Sequence, residues 1–193
     1  MTRRTVYGAL ALLLTVLAGC ADPTAPLDVA TTVAEDRPMG QVAHDTKIKL
    51  DFDRRLVAGK DRDLFFNLAS DVYERRLMLT GSVRSERDRE RAVALARGTE
   101  GVRVVYDELQ VTEKGGFGKA ANDALIEAKL KARLVGAKDV KSINYRWQVV
   151  NGVVYLIGRA RTRRELDIVL AVIKDTRDVT RVVTHVEVGS PGQ

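Results

Sequence analysis

Sliding the chain along itself by 77 positions lays Gly81 on Gly158, Arg84 on Arg161, Ala94 on Ala171, Thr99 on Thr176, Val102 on Val179, Val105 on Val182 and Val111 on Val188, without a gap. Further upstream a shift of 78 lays Ile48, Phe52 and Leu56 on Ile126, Leu130 and Leu134, so one residue is gained between these two stretches. Such self-similarity decides architecture before any local reading does: one small unit is written twice. With 193 residues in all, each unit is close to the lower size limit for folding on its own core.

The order of elements is the same in both copies. Ile48, Phe52 and Leu56, like Ile126, Leu130 and Leu134, form one apolar stripe on a first helix. Leu64 to Asp71 and Ile143 to Val150 read as strands, followed by strands over Arg75 to Val83 and Val153 to Ala160. Asn151-Gly152 between the second pair is a strong hairpin signal, since both residues tolerate the positive φ of a two-residue turn. Helical spacing returns over Arg84 to Gly98 and Thr162 to Asp175, and strands over Val102 to Val111 and Val179 to Val188 close the copies. In the closing strands Val105, Leu109 and Val111, and Val182, Val186 and Val188, share one face, with Glu108, Gln110, His185 and Glu187 on the other. The pattern predicts an α+β chain of two tandem αββαβ domains, each a three-stranded mixed sheet with two helices on one face and the opposite face wet.

The N-terminus has a different character. Arg3 and Arg4 precede an apolar stretch from Val6 to Leu17, too short for a permanent membrane span, as expected of a cleaved export signal over residues 1–19. Thr2-Arg3-Arg4-Thr5-Val6 covers only part of a twin-arginine signal. Leu17-Ala18-Gly19-Cys20 resembles the lipobox of bacterial lipoproteins, which implies cleavage before Cys20 and acylation of its thiol. Cys20 is the only cysteine, so no disulfide is available to staple either unit. Ala21 stands where proteins of that type carry an inner-membrane retention signal, so the resemblance implies anchoring at the periplasmic face of the outer membrane. Residues 20–42, with Pro23, Pro26 and Pro38, read as a tether; domains are expected over 43–111 and 119–189, with a Gly-rich linker over 112–118 and a short tail over 190–193.

Asn151-Gly152-Val153-Val154-Tyr155-Leu156-Ile157-Gly158 and Val179-Thr180-Arg181-Val182-Val183 resemble the hairpin and closing strand of the BON domain. Leu77-Met78-Leu79-Thr80-Gly81 and Gly101-Val102-Arg103-Val104-Val105 fill these roles in the first copy, where Tyr73-Glu74-Arg75-Arg76 replaces the Asn-Gly turn. The resemblance spans about Ala43 to Gly189, and it implies binding rather than catalysis: contact with anionic phospholipid and support of outer-membrane integrity.

The residues themselves offer no catalytic constellation. His44 and His185 have no second His or Cys nearby for a metal site, and both read as solvated. The acids sit in mixed runs such as Glu86 to Arg91, typical of charged helix faces, and no nucleophile–base pair or cofactor motif is present; the Gly115-Gly116-Phe117-Gly118 break lacks the Lys-Ser/Thr of a phosphate loop. Trp147 suits sheet packing better than base stacking. Charge is uneven: residues 112–193 carry 15 Lys or Arg against 9 Asp or Glu, whereas residues 43–111 carry 14 against 13. A positive field attracts polyanions generally, and export makes lipid the expected partner rather than nucleic acid.

Positions apolar in only one copy need a reason beyond a shared core. Leu125 replaces Lys47, beside Lys129 and Arg133; Leu166 and Ile168 replace Arg89 and Arg91, just after Arg161, Arg163 and Arg164. Apolar tips flanked by cations suit an interfacial membrane contact, the former entering the acyl boundary and the latter meeting phosphate. The same residues equally suit packing against the first copy, a second subunit or an envelope protein partner.

Overall fold

The computed structural model describes residues 35–58, 68–112 and 120–189. The export signal, Cys20, most of the Gly-rich linker, residues 64–67 of the first expected strand and the tail lie outside these residues. The chain runs α1 (Met39–Ala58), β1 (Leu68–Tyr73), β2 (Arg76–Val83), α2 (Glu86–Arg97) and β3 (Val104–Val111). The second copy follows with α3 (Ala120–Val135), β4 (Tyr145–Val150), β5 (Val153–Ala160), α4 (Arg163–Lys174) and β6 (Arg181–Val188). Each copy forms a three-stranded sheet in which the middle strand pairs antiparallel with the first and parallel with the third.

The helical stripes do what their spacing predicts. Ile48, Phe52 and Leu56 pack with Leu77, Leu79, Val83, Ala92, Ala96 and Leu109 in one core. Ile126, Leu130 and Leu134 pack with Val154, Leu156, Ala160, Val169 and Ile173 in the other, and Trp147 leans on that second core. Ser85 and Thr162 cap α2 and α4 by accepting backbone N–H groups of Asp88 and Glu165, which satisfies donors that a helix start leaves free. Val111 and Val188, at the strand ends, escape the core and are exposed.

Both hairpins turn on two residues in the left-handed region, Glu74 and Arg75 (φ 51° and 63°) and Asn151 and Gly152 (φ 54° and 80°). Asn-Gly adopts this readily; Glu-Arg does not. What holds the turns is a buried carboxylate one helical turn before each isoleucine. The N–H groups of Glu74 and Arg75 donate to Asp45 at 2.7 and 2.9 Å, and those of Asn151 and Gly152 donate to Asp123 at 2.8 and 2.9 Å. Each clamp ties the first helix to the hairpin by charge-assisted bonds.

The expectation of a wet sheet face is overturned. Tyr73, Met78, Val150, Val153, Tyr155 and Ile157 form a third core, joined by Tyr106 and Val183, between the two sheets. The faces left free by the helices bury each other, and the two copies together make a four-layer helix–sheet–sheet–helix sandwich. This is why every residue of β2 is buried: Leu77, Leu79 and Val83 face their own helices, while Arg76 and Met78 face the other copy. Two hydrogen bonds cross the interface between positions that are each other's repeat counterpart: Gln148 Nε2 donates to Asp71 Oδ2 at 2.9 Å, and His185 Nε2 meets Glu108 Oε1 at 2.8 Å, each pair 77 positions apart. Contact between a position and its own counterpart marks the axis of a two-fold arrangement, so the copies associate as an isologous dimer does. Arg76, fully buried, donates to the carbonyls of Gly158 and His185 at 2.9 and 2.8 Å. Gly158 is required on its own account, because a Cβ there would stand 2.3 Å from the Asn144 carbonyl oxygen.

Residues 35–38 do not behave as free tether. They lie against both copies, and α1 begins at Met39, ahead of the expected boundary at Ala43.

Two outcomes follow in urea unfolding. Asp123→Ala, which strips two turn N–H groups of a charged acceptor, lowers stability by about 3 kcal/mol. Burial pushes the Asp71 carboxyl above its usual range, outweighing the opposing hydrogen bond from Gln148 and the nearby charge of Lys49. The native state therefore favours the protonated form, and the stability from this group is present below the ordinary carboxylate range and lost as pH rises through the folded value. Asp71→Asn, which keeps a partner for Gln148, is expected to raise the urea midpoint at about pH 7 and to flatten its dependence on acid.

Candidate functional site

The residues singled out by comparing the copies divide sharply in the structure. Leu166 is 4% exposed and belongs to the second copy's own core, so it is no contact residue. Its counterpart Arg89 donates to Asp107 at 2.8 Å, and Thr184 replaces that aspartate. One copy fills this place with an ion pair and the other with a leucine; the difference is internal packing. Ile168 is half-buried, while Arg163 and Arg164 are exposed at the start of α4. Arg161 Nε donates to the buried Glu165 at 3.0 Å, and its Nη2 donates to the Asp139 carbonyl at 3.2 Å.

Leu125 is 60% exposed. It lies on the outward face of α3 in a line that sequence reasoning left unnoticed: Ala121, Leu125, Ala128, Ala132 and Val135, all exposed, with Val135 at 65%. This spacing follows one face of a helix, opposite the buried Ile126, Leu130 and Leu134. The signal was present in the sequence as a second apolar series on the same helix, masked by the small size of its alanines. Lys129, Lys131 and Arg133 border the line. Lys129 Nζ stands 3.7 Å from Asp178, and Arg133 donates to Asp175 Oδ2 at 2.6 Å and to the Asp175 carbonyl at 2.8 Å. Part of the positive charge is thus met within the domain. Glu127, on the same helix, accepts the Val149 N–H at 3.1 Å, and burial pushes its carboxyl above the usual range.

His185 is not solvated as expected. It stacks on Tyr106 with ring centroids 3.9 Å apart and bonds Glu108 within the interface between copies. His44 is exposed and lines a cleft of about 360 Å³ with Gln41, Glu74, Arg75, Arg103, Arg159 and Glu187. Two of its three cations are committed to the fold: Arg159 forks onto Glu74 at 2.6 and 2.8 Å and reaches Glu187 at 3.0 Å, and Arg75 holds the Gly101 carbonyl at 2.8 Å, while Arg103 stands 3.9 Å from Glu187. Among the described residues no group of three or more His, Cys, Asp or Glu is placed to hold a metal, and no helix is long and apolar enough to cross a membrane.

The BON domain family model matches residues 44–113 and again residues 122–190. An uncharacterized protein in the gshII 5' region of Anaplasma centrale is 35% identical over 124 residues, covering 64% of this chain and 82% of that protein. Outer membrane lipoprotein DolP of Haemophilus influenzae is 34% identical over 86 residues, 45% of each chain. Osmotically-inducible protein Y of Escherichia coli is 33% identical over 91 residues, 46% of this chain and 45% of that one. Less than half the length of these last two proteins is therefore spanned. Two consecutive family matches, falling on the two αββαβ units joined face to face, place the chain in the BON-domain family as a tandem member, similar to proteins that include an outer-membrane lipoprotein.

Proposed function

We propose that the chain is a bacterial envelope protein, lipid-anchored through Cys20 at the periplasmic face of the outer membrane, whose second BON domain docks on anionic phospholipid through the outward face of α3 and so supports outer-membrane integrity. The likeness to Outer membrane lipoprotein DolP supports the location. The observation that carries the docking surface is the exposed line from Ala121 to Val135, flanked by Lys129, Lys131 and Arg133. Leu125 and Val135 are already exposed, so entering the acyl boundary requires no unfolding, and the cations sit where phosphate would be met. Each such cation contributes about 1 kcal/mol near an anionic surface, so binding by this face alone is weak and relies on the anchor to concentrate it. Binding, not catalysis, is the activity this surface is suited to.

Alanines spaced along one helix face also suit close approach of another helix, which favours a second reading: an adaptor holding an envelope protein partner on the same surface. Cosedimentation of residues 21–193 with vesicles separates the two. The lipid reading expects binding that rises with anionic lipid, falls about tenfold in Lys129→Glu and in Leu125→Ser, and is unchanged in Lys47→Glu on α1. Binding indifferent to anionic lipid and to Lys129 would reject it, and capture of a protein partner that survives this charge reversal would favour the adaptor.

A further inference from the structure

The residues ahead of α1 form a strap across the two domains. The Asp36 N–H donates to Asn144 Oδ1 at 3.0 Å, while Asn144 Nδ2 donates to Asp36 Oδ2 at 2.9 Å. Lys141 Nζ pairs with Asp36 Oδ1, Arg161 Nε stands 4.0 Å from Asp36 Oδ2, and Arg146 pairs with Glu35. Arg37 points to the first domain, pairing with Asp45 and lying 4.0 Å over the Tyr73 ring. Burial pushes the Asp36 carboxyl up, but hydrogen bonds from Lys141 and Asn144 outweigh it and hold the group below its usual range, so it is ionised in the strap.

We propose that Lys141, Asn144, Arg146 and Arg161 form a docking site for an acidic peptide segment of a partner protein, a site that the chain's own Glu35 and Asp36 fill in cis. The choice of peptide over phosphate rests on Asn144, which is 1% exposed. Its side-chain amide reads a main-chain N–H and a carboxylate together, as an acidic residue within a peptide presents them. A phosphate diester has no N–H and would leave the buried Asn144 oxygen without a donor. Glu165 takes the Arg161 Nε–H and Asp71 lies in the field of Arg146, so withdrawal of the strap leaves three cations against two carboxylates, still a net attraction for an acidic stretch. A strap tethered in cis acts at high effective concentration, so the site is closed until a partner competes for it or the strap is drawn away. This site is separate from the outward face of α3 and does not depend on lipid binding there.

The test is fluorescence anisotropy of a labelled peptide of residues 32–38 titrated with the full chain. Glu35→Gln/Asp36→Asn is expected to bind it at least about tenfold tighter than the unaltered chain. Adding Lys141→Gln to that variant is expected to abolish the gain. Asp36→Asn alone is the milder variant and decides the matter if the double variant melts early by circular dichroism; it is expected to show a smaller gain with the same dependence on Lys141. No gain in either variant, or a gain indifferent to Lys141→Gln, overturns the proposal. Unlabelled peptide is expected to displace the probe where an equal concentration of inorganic phosphate does not; equal displacement would mean a simple anion site and overturn the peptide assignment.

Discussion

The fold depends on the burial of one sheet face against the other. Two αββαβ units of this size have helices on only one side of their sheets, and an apolar second face is left against water unless a partner covers it. Here Met78, Tyr106, Tyr155, Ile157 and Val183 cover each other across an approximate two-fold axis, and buried Arg76 joins the sheets by donating to two backbone carbonyls. The consequence is directional. With the sheets in the middle, the helical layers are driven to opposite outer sides, so the outward faces of α1 and α3 address different surroundings.

That geometry gives meaning to the divergence of the copies. A duplicated unit that pairs through one shared surface is constrained there twice, whereas its outer helices are free to change. Along α3 the line Ala121, Leu125, Ala128, Ala132 and Val135 is unbroken by charge, while on α1 its counterparts Ala43, Lys47, Leu50, Arg54 and Val57 are interrupted by two cations. The strap of Glu35, Asp36 and Arg37 adds a further asymmetry: Asp36 and one Glu35 oxygen meet the second domain, while the other Glu35 oxygen pairs with Arg37, itself bound to Asp45 of the first.

Much of this was legible in the sequence. The repeat, the element order and the core stripes stand as read, because 3.6 and 2.0 periodicities reflect burial on a single face. The buried second face was also written there, in the unbroken apolar run Val153 to Ile157 and in Met78 between two leucines; such runs belong to strands covered on both sides, a sign that the closing strands, with Glu108, Gln110, His185 and Glu187, do not carry. Leu166 misled because a lost arginine looks the same whether a position turns outward or joins the core; its exchange with an aspartate partner is visible only in three dimensions. Asp45 and Asp123 were passed over because a buried carboxylate and a solvated one are the same letter. Their equivalence under the 78-residue shift, one turn before Ile48 and Ile126, was the available sign.

Nuclear Overhauser contacts between the aromatic rings of Tyr106 and His185 test the face-to-face joining of the two copies most directly, since their centroids lie 3.9 Å apart across the interface. Strong contacts within one chain, with both domains tumbling at a single rate, are the predicted result. Absence of these contacts, together with two independently tumbling domains, would contradict it.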